Sequence, residues 1–423
     1  MTVHSIPAEL AGACAEVRAA TVADAVAGVR PSLVASPATT EEASAVLRAA
    51  SALGLAVIPR GCGTKLDWGN PPERADLVVE TTRLDQVVEH AAGDLVATVQ
   101  AGVTLKRLSG VLSEAGQRLA LDAAGTIGGI LSTGVAGPLR LRYGTPRDLL
   151  IGLTIVRADG TVAKSGGKVV KNVAGYDLGK LFAGARGTLG LITQATFRLH
   201  PQPAATAYVT VTCDSAGACA RLVAAAQQAS IAPVAVELHH ASRADQVVLA
   251  VAIEGDSHGV AQRSEILADL LAVEQTSQAA AVADRPPAWW GRGAAAQADG
   301  TVMQVAFWAG RLASVLDAIS ATADRTGLDP LLEGPAASGV LHVAIPATAD
   351  PAQVAAFVAG LRTALGGNAA PASSSVVVQH APPGVRELTD LFGPVPSLGL
   401  MRAVKQRFDP DRLLSPGRFA GGI

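Results

Sequence analysis

The sequence predicts an α+β protein built from two main domains. Its 423 residues exceed what one hydrophobic core usually organises. Strand and helix patterns alternate through residues 31–203, whereas residues 204–397 repeat a βαββα-type order twice. We therefore expect a first domain at 31–203 and a ferredoxin-like second domain at 204–397. A helical segment is expected at 1–30, and a C-terminal helix and tail at 398–423 are expected to pack back on the first domain.

The first elements of the 31–203 domain follow from a helix cap and two turns. Thr39 and Glu42 match a capping box, which starts a helix that ends before Gly54. Residues 55–59 then form a buried strand that enters a glycine-rich turn. A hairpin is predicted at 87–100, where two strand patterns flank a turn.

The rest of this domain is predicted from caps, glycines and apolar runs. Thr104 caps a helix, and residues 125–145 are expected to form a glycine-rich loop. Strands are predicted at 151–156 and 189–199, and the prolines that follow the second strand indicate a linker.

The second domain is predicted from two similar series of elements. The connector at 273–300 is rich in Ala and Pro and contains Trp289 and Trp290, for which we expect a domain or subunit contact rather than catalysis. An amphipathic helix is expected at 398–408. The first series comprises residues 208–212, 215–229, 234–238, 247–253 and 260–271, and the second comprises 302–308, 311–325, 340–345, 351–365 and 375–379.

Composition excludes several classes of function. Lys and Arg number 34 against 36 Asp and Glu, and no basic stripe with aromatics occurs, so we expect no nucleic-acid partner. No apolar run approaches the roughly 20 residues of a spanning helix. The N-terminus lacks the basic region of a signal peptide, so we expect a cytoplasmic protein without an integral membrane segment. Because the cysteines form no Cys-x-x-Cys pair, we expect neither an iron–sulfur cluster nor another metal site.

The first chemical signal is the glycine-rich turn after the 55–59 strand. Alternating glycines let a strand turn sharply and aim successive backbone N–H groups into one concavity, where a phosphate can bind. The turn matches neither a Walker loop nor the Gly-x-Gly-x-x-Gly dinucleotide fingerprint, and a simple tight turn remains the alternative. The candidate cofactor-binding residues are Pro59, Arg60, Gly61, Cys62, Gly63, Thr64 and Lys65.

Two further glycine-rich segments follow along the chain. Glycines at this density let a backbone press against a flat ring or a diphosphate. Any one segment could be an ordinary turn, but three in order at strand edges form a stronger signal. The candidate cofactor-binding residues are Thr126, Ile127, Gly128, Gly129, Thr133, Gly134 and Pro138 in the second segment and Gly187, Gly190 and Ile192 in the third.

The order of these motifs resembles the PCMH-type FAD domain of the vanillyl-alcohol-oxidase family. Pro-Arg-Gly-x-Gly-Thr at 59–64 precedes Thr-Ile-Gly-Gly at 126–129, Tyr-Gly-Thr-Pro-Arg-Asp at 143–148 and Gly-Thr-Leu-Gly-Leu-Ile at 187–192. The resemblance implies an FAD domain of two subdomains, a small parallel unit and a larger mixed sheet, with FAD between them.

The same resemblance implies how each segment would bind FAD. The diphosphate would lie on the amides of residues 60–65, and the backbones of 126–129 and 133–138 would flank the flavin. Residues 190–192 would hold the isoalloxazine edge. No His stands in the first loop, where covalent relatives carry their flavin-linking side chain, so we expect a noncovalent flavin.

Within that family, the stretch 166–178 and the ending at 400–418 are most similar to the FAD-binding E subunit of bacterial glycolate oxidase. This similarity implies a subunit that assists electron transfer from glycolate, a small 2-hydroxy acid, to quinone. Its partners would be a paralogous FAD-containing catalytic subunit and an iron–sulfur subunit, which could place it at the inner face of the membrane. Two alternatives stay open: a stand-alone FAD-dependent dehydrogenase of glycolate or D-lactate, and a non-catalytic structural flavoprotein subunit.

Residues for a metal or substrate site in the second domain are few. His239 and His240 are adjacent in a predicted strand and so point to opposite faces, which makes them a poor metal pair. His258 is interpreted as part of a helix start. Ser415 stands where relatives that oxidise hydroxy acids often have Asn.

Two other polar groups have open interpretations. The side chains between Lys168 and Asp177 could form a site, or they could brace the loop beside the flavin. Arg140 and Arg142 could bind a substrate carboxylate, the FAD phosphates, or neither.

Overall fold

The computed structural model describes residues 6–168, 176–274, 279–292, 299–366 and 374–423. Backbone contacts divide the chain into two compact units. Unit 1 comprises Met1–Ala136, Gly144–Gln202 and Val395–Ile423, and unit 2 comprises Gly137–Tyr143 and Pro203–Pro394.

Unit 1 contains a small, mostly parallel sheet. Its elements are α1 (Ala8–Ala11), β1 (Val17–Ala19), β2 (Leu33–Ala35), α2 (Thr40–Ala52), β3 (Val57–Arg60) and β4 (Leu77–Glu80). The strand order is β1-β2-β4-β3, with β2, β4 and β3 parallel and β1 antiparallel at the edge. The Thr39 hydroxyl caps α2 by accepting from the N–H of Glu42, while the Glu42 carboxylate accepts from Ala38 rather than from the cap.

The segment predicted to be helical at 1–30 is mostly not helical in its described residues. Helix α1 spans only four residues, and β1 completes the sheet edge by pairing with β2. Arg18 of β1 also forms an ion pair with the buried Asp24. Helix propensity is a weak preference that tertiary contacts override, and these pairings decide the local structure.

The second sheet of unit 1 is antiparallel throughout. Its strands are β5 (Val87–Ala91), β6 (Val96–Gln100), β8 (Leu150–Val156), β9 (Val162–Gly166) and β10 (Leu191–Arg198), while β7 (Gln117–Arg118) pairs separately with β11 (His200–Pro201). The order is β5-β6-β10-β8-β9, and all four pairings are antiparallel. The expected mixed sheet is therefore corrected: β5–β6 and β8–β9 are hairpins, which require antiparallel neighbours.

Helices α3 (Leu105–Ser113), α4 (Ile127–Thr133) and α6 (Pro146–Leu149) lie between the strands of unit 1, whereas α5 (Arg140–Tyr143) belongs to unit 2. The stretch 125–145, predicted to be a loop, is thus partly helical. Thr126 caps α4 because its hydroxyl accepts from the N–H of Gly129, and Gly134 ends the helix in the left-handed region at φ +68°. Buried apolar side chains of α4 compensate for its two glycines.

Unit 2 is built on one eight-stranded antiparallel sheet. Its elements are β12 (Ala205–Cys213), α7 (Ala216–Gln228), β13 (Ala235–His240), β14 (Val247–Gly255), α8 (Ser257–Glu274), β15 (Ala281–Ala283), β16 (Thr301–Phe307), α9 (Leu312–Thr326), β17 (Leu331–Gly334), β18 (Val340–Ile345), α10 (Pro351–Ala364), β19 (Ser374–His380) and α11 (Pro383–Leu388). The strand order is β15-β12-β14-β13-β17-β18-β16-β19. Each half has the order βαββαβ, and β13 pairs with β17 to join the halves. The sheet therefore contains the expected pair of ferredoxin-like halves, with β15 and β17 added to the predicted strands.

The connector tryptophans contact the sheet within unit 2. Trp289 stacks on His239, with ring centroids 4.9 Å apart, and Trp290 meets Tyr208 edge to face at 5.1 Å. The pair thus packs on the sheet of its own unit, and the expected contact with another domain or subunit stays a prediction.

The C-terminal helix, α12 (Leu398–Phe408), packs within unit 1. Its residues Val404 and Phe408 rest on the core of the antiparallel sheet, and the Phe408 ring meets that of Phe182 at 5.5 Å. The tail that follows returns to β3, where Leu414 bridges Val57. The helix thus packs back on the unit that contains the first domain's sheets. Among the described helices, none is long and apolar enough to cross a membrane.

Candidate functional site

The candidate site is a groove in unit 1 at the carboxyl ends of the parallel strands β3 and β4. Its empty volume is about 650 Å³ including the open mouth, which suits a small-molecule or cofactor site. Of the predicted residues, the groove is lined by Pro59, Arg60, Gly61, Cys62, Gly63, Thr64, Lys65, Thr126, Gly128, Gly129, Thr133, Gly187, Gly190 and Ile192. Three glycine-rich segments that are far apart in the sequence therefore meet in one place.

The loop after β3 presents backbone donors to this groove. Among the described residues, the N–H groups from Gly61 to Lys65 donate to no protein acceptor. Gly63 adopts φ +74°, which turns the backbone back on itself. Several unsatisfied N–H groups converging in one loop are the arrangement that binds phosphate oxygens.

At Gly61 there is no room for a side chain between this loop and Thr126, the N-cap residue of α4. A Cβ atom at Gly61 would lie 2.1 Å from Oγ1 of Thr126, which is closer than any allowed contact. Thr126 itself is buried and holds the cap of α4. Close approach of the two backbones therefore requires glycine at position 61.

Lys65 supplies the groove with a positive charge that no described carboxylate offsets. Its Nζ donates to the carbonyl of Ala124 at 2.8 Å and lies 3.3 Å from the Thr64 hydroxyl. Burial lowers the pKa of Lys65, and the only opposing influence is the nearby Cys62 thiol. An anion bound in the groove would therefore gain a charge-assisted partner here.

The guanidinium of Arg60, by contrast, is already paired inside unit 1. Nη1 lies 2.9 Å from Oδ1 of Asp24, and Nη2 lies 2.5 Å from Oε2 of Glu80. The hydrogen bond from Arg18 holds the pKa of Asp24 well below its usual range. Arg60 thus lines the groove with its backbone and aliphatic side-chain carbons. Its guanidinium holds the end of β3 through the ion pairs with Asp24 and Glu80. Sequence reasoning missed Asp24, although Thr21 and Asp24 form a local capping box, because its pairing with Arg60 joins residues 36 positions apart.

Helix α4 and the turn before it form one wall of the groove. The N–H of Gly128 donates to the carbonyl of Ala101 at 2.8 Å, which anchors the start of the helix to β6. The Thr133 hydroxyl donates to the carbonyl of Gly129 at 2.7 Å. The wall is therefore fixed by its own hydrogen bonds before any ligand binds.

The segment before β10 forms the opposite wall. Gly187 has φ +74°, and a Cβ atom there would lie 3.1 Å from Cγ of Pro59 and 3.3 Å from Oγ of Ser415. The residue at the position of the expected Asn, Ser415, thus lies beside this wall. This segment approaches Pro59 of β3 closely at Gly187.

Three predicted residues do not line the groove. Ile127 is buried in the core of the antiparallel sheet, Gly134 ends α4, and Pro138 belongs to the segment that groups with unit 2. Leu191, within the stretch 190–192 that was expected to hold the isoalloxazine edge, also lines the groove, and the lining residues that were not predicted are Leu66, Thr81, Ala124, Gly125 and Ser132. Thr81 could have been found, since it follows a strand parallel to β3 and so lies at the same sheet edge.

These features fit the expected FAD, which is extended and anionic at its diphosphate. The fit rests on the converging N–H groups, the unopposed charge of Lys65, and the absence of room for a Cβ at Gly61. The residues that would hold the diphosphate are Gly61 to Lys65.

The histidines of unit 2 lie as the strand pattern predicted. His239 Nδ1 is 2.9 Å from Oε1 of Glu333 on β17, whereas His240 Nε2 is 3.1 Å from the carbonyl of Asp245. His258 lies in the first turn of α8. In the described ranges, no group of three or more His, Cys, Asp or Glu side chains could hold a metal ion.

A row of polar residues crosses the middle of the eight-stranded sheet of unit 2. This row was not predicted from the sequence. Register pairs His239 with Glu333, Glu333 with His342, and His342 with Gln304 on four consecutive strands. Oε2 of Glu333 and Nδ1 of His342 are buried without a hydrogen-bond partner among the described residues. Burial raises the pKa of Glu333 to about 7 and lowers that of His342 to about 4.

The remaining sequence candidates are placed as follows. Lys168 pairs with Glu89 in unit 1, and Asp177 precedes a short helical turn at 178–181. Lys171 and Asn172 lie outside the described residues. Arg140 belongs to the segment of α5 and contributes to lowering the pKa of His342 in unit 2.

Replacing Lys65 with Met is expected to weaken binding of FAD by roughly 10- to 100-fold, because a charge-assisted hydrogen bond contributes about 1.5–3 kcal/mol. The salt dependence of binding should also decrease, since one cation is lost. Titration of the variant with FAD at two ionic strengths measures both effects. Lys106→Met, an exposed change on α3, is the matched control. If Lys65→Met and Lys106→Met bound FAD with equal affinity, Lys65 would not be a contact of the bound FAD.

Two protein-family models match separate parts of this chain. Residues 31–166 match the family model described as FAD binding domain, and residues 378–419 match the model for the C-terminal domain of FAD linked oxidases. The first match contains the β3 loop and α4, and the second contains α12 and the tail.

Several of the curated relatives are named for 2-hydroxy acids. The chain is 32% identical over 211 residues to glycolate oxidase subunit GlcD of Bacillus subtilis, covering 49% of this chain and 45% of that protein. It is 34% identical over 199 residues to D-lactate dehydrogenase (cytochrome) 1 of Saccharomyces cerevisiae mitochondria, covering 45% and 34%. It is 33% identical over 177 residues to D-2-hydroxyglutarate dehydrogenase of Xanthomonas citri, covering 41% and 38%. The chain thus spans less than half the length of these relatives.

Solved structures share the fold over most of the chain. p-Cresol methylhydroxylase with substrate bound matches with a TM-score of 0.69 at 16% identity, covering 92% of this chain and 88% of that one. Alkyldihydroxyacetonephosphate synthase matches with a TM-score of 0.68 at 16% identity, covering 92% and 78%. The expected α+β fold of the PCMH type is confirmed.

Proposed function

We propose that this chain, which carries the FAD binding domain and the C-terminal domain of FAD linked oxidases, is an FAD-dependent oxidoreductase subunit that serves the oxidation of a small 2-hydroxy acid. The observation that carries the proposal is the groove, in which unpaired N–H groups and Lys65 converge. The names of the relatives support the substrate class, because glycolate, D-lactate and D-2-hydroxyglutarate are all 2-hydroxy acids.

The residues of the groove would bind and orient FAD rather than react with it. The backbone N–H groups of Gly61 to Lys65 would donate to the diphosphate oxygens, and Lys65 would offset part of the diphosphate charge. The walls at α4 and at 187–192 would exclude water from the flavin. When bound, FAD supplies a two-electron acceptor for converting the alcohol carbon of a 2-hydroxy acid to a carbonyl. We expect the FAD to be noncovalent.

We further propose that the chain works in a glycolate oxidase-like complex. Its partners there would be a paralogous FAD-containing catalytic subunit and an iron–sulfur subunit. Similarity to a protein named as a glycolate oxidase subunit supports this assembly. The complex would lie in the cytoplasm, at the inner face of the membrane through its other subunits.

A second candidate is a stand-alone dehydrogenase of glycolate or D-lactate. Similarity to proteins named D-lactate dehydrogenase favours it. The two candidates differ in whether this chain alone transfers electrons from the substrate to its flavin.

An absorbance spectrum of the purified chain, followed by anaerobic addition of glycolate and of D-lactate, tests both candidates. Flavin bands near ~450 nm that stay oxidised with either acid are expected for a subunit whose partner handles substrate. Bleaching of the bands would identify a dehydrogenase in its own right. Absence of flavin bands after FAD has been supplied would refute both.

A further inference from the structure

A buried ion pair at the end of the C-terminal helix lies between two segments that line the groove. We call residues 59–65 the first rim and residues 187–192 the second rim. Resting on the proposed binding of FAD, we propose that Lys405, paired with Asp409, is a positioning residue that sets the spacing of these two rims.

Lys405 uses all three of its N–H bonds. Its Nζ donates to Oδ2 of Asp409 at 2.6 Å, to the carbonyl of Thr188 at 2.8 Å and to the carbonyl of Leu414 at 2.8 Å. Lys405 is 4% exposed and Asp409 is fully buried. Since an ammonium group has three donors, its position is fixed by acceptors from three separate segments.

The Asp409 carboxylate in turn fixes the tail that follows α12. Its Oδ1 accepts from the N–H of Leu413 at 3.0 Å, and its Oδ2 accepts from that of Leu414 at 2.8 Å. Every bond that this carboxylate makes therefore goes either to Lys405 or to the backbone of the tail.

Backbone hydrogen bonds connect the tail to β3 and so to the first rim. The N–H of Val57 donates to the carbonyl of Leu413 at 2.7 Å, and the N–H of Ser415 donates to the carbonyl of Val57 at 2.9 Å. Val57 opens β3, and β3 leads directly into the first rim. Thr188 is part of the second rim. Lys405 is thus bonded directly to the second rim and, through Leu414, to the strand that positions the first.

The spacing of the two rims matters because the rims lie close together at Pro59 and Gly187. At Gly187 a Cβ atom would lie 3.1 Å from Cγ of Pro59, so the two rims are separated at this point by a gap that leaves little room for a side chain. A buried ion pair is weak evidence for stability, because apolar residues of similar volume often stabilise a core equally well. The three directional bonds of Lys405, however, one to the second rim and two to Asp409 and the tail that pairs with β3, define a position that apolar packing would leave adjustable.

The experiment compares the wild-type chain with the variant Lys405→Met/Asp409→Asn, in which the pair is replaced by side chains of similar size. We expect the Kd for FAD to rise at least tenfold and the visible circular dichroism of the bound flavin to change, because the rims are no longer held. The matched control is Leu112→Ala, a buried change on α3 that does not line the groove. Its loss of thermal stability should be equal or larger, with FAD affinity within twofold of wild type.

The proposal is overturned if the double variant binds FAD within twofold of wild type, or no more weakly than Leu112→Ala. If the double variant does not fold, Lys405→Arg provides the second test, because it keeps the positive charge beside Asp409 but cannot place three donors on the same acceptors. Its Kd for FAD should rise, and a Kd within twofold of wild type would overturn the proposal. A wild-type chain that binds no FAD refutes the proposed function instead.

Discussion

Replacing Gly61 with Ala is expected to abolish measurable FAD binding, with an affinity loss of at least about 100-fold, or ~2.7 kcal/mol. The added Cβ would lie 2.1 Å from Oγ1 of Thr126, so either the β3 loop or the Thr126 cap must move. Both are parts of the groove. Titration with FAD, followed by flavin fluorescence, measures the loss, and circular dichroism verifies that the fold persists.

Two further variants separate this steric effect from a general loss of stability. Gly110→Ala is the control, because a Cβ at Gly110 meets nothing within 4 Å; it should stabilise α3 by about 0.5–1 kcal/mol and leave FAD affinity unchanged. Gly61→Ala/Thr126→Ala removes the clashing hydroxyl and should recover at least tenfold in affinity over Gly61→Ala. No recovery would show that the clash with Thr126 is not the cause.

The groove could be predicted from sequence because its main determinants are local. Gly61, Gly63 and Gly187 stand in short motifs whose glycines have positive φ or close backbone contacts, and such constraints leave a visible pattern. Lys65 belongs to the same motif. The helix α4 was missed, since glycines within it argue against a helix until the cap at Thr126 and the buried face are known.

The long-range parts of the site left no such pattern. Asp24 reaches Arg60 across 36 positions, and Lys405 reaches Thr188 across 217. Neither pairing can be inferred without the three-dimensional arrangement of the segments. The row from His239 to Gln304 depends on the register of four strands, of which β17 was not predicted at all. The packing of α12 on unit 1 was predictable only from family resemblance.

Unit 2 is expected to lose stability as pH rises through neutrality because of Glu333. Burial raises the pKa of its carboxyl from 4.5 to about 7, so the folded state retains a proton that the unfolded state has released. The stabilisation is fully present below pH 4.5 and is lost as pH rises toward 7. This shift corresponds to about 3 kcal/mol. Arg292 opposes the shift, and His239, whose own pKa burial lowers, shares a hydrogen bond with the carboxyl.

His342 has the opposite dependence on pH. Burial lowers its pKa from 6.5 to about 4, with a smaller contribution from Arg140. Its contribution to stability is present above pH 6.5 and is lost as pH falls toward 4. Between pH 4.5 and 6.5 the effects of Glu333 and His342 therefore oppose each other in the wild-type chain, and removing either residue should reveal the other.

Glu333→Gln should therefore convert a nearly level pH dependence of unfolding between pH 4.5 and 6.5 into one in which stability rises with pH. Relative to wild type, the variant should gain about 2–3 kcal/mol in free energy of unfolding between pH 5 and pH 8, and its own stability should rise with pH from 4 to 6.5. Denaturant unfolding followed by tryptophan fluorescence measures this, because Trp289, Trp290 and Trp308 all lie in unit 2. Glu265→Gln, an exposed change on α8, should leave the wild-type profile intact. If stability changed with pH in the same way in wild type and in Glu333→Gln, the Glu333 carboxyl would bind no additional proton on folding, which would contradict its raised pKa.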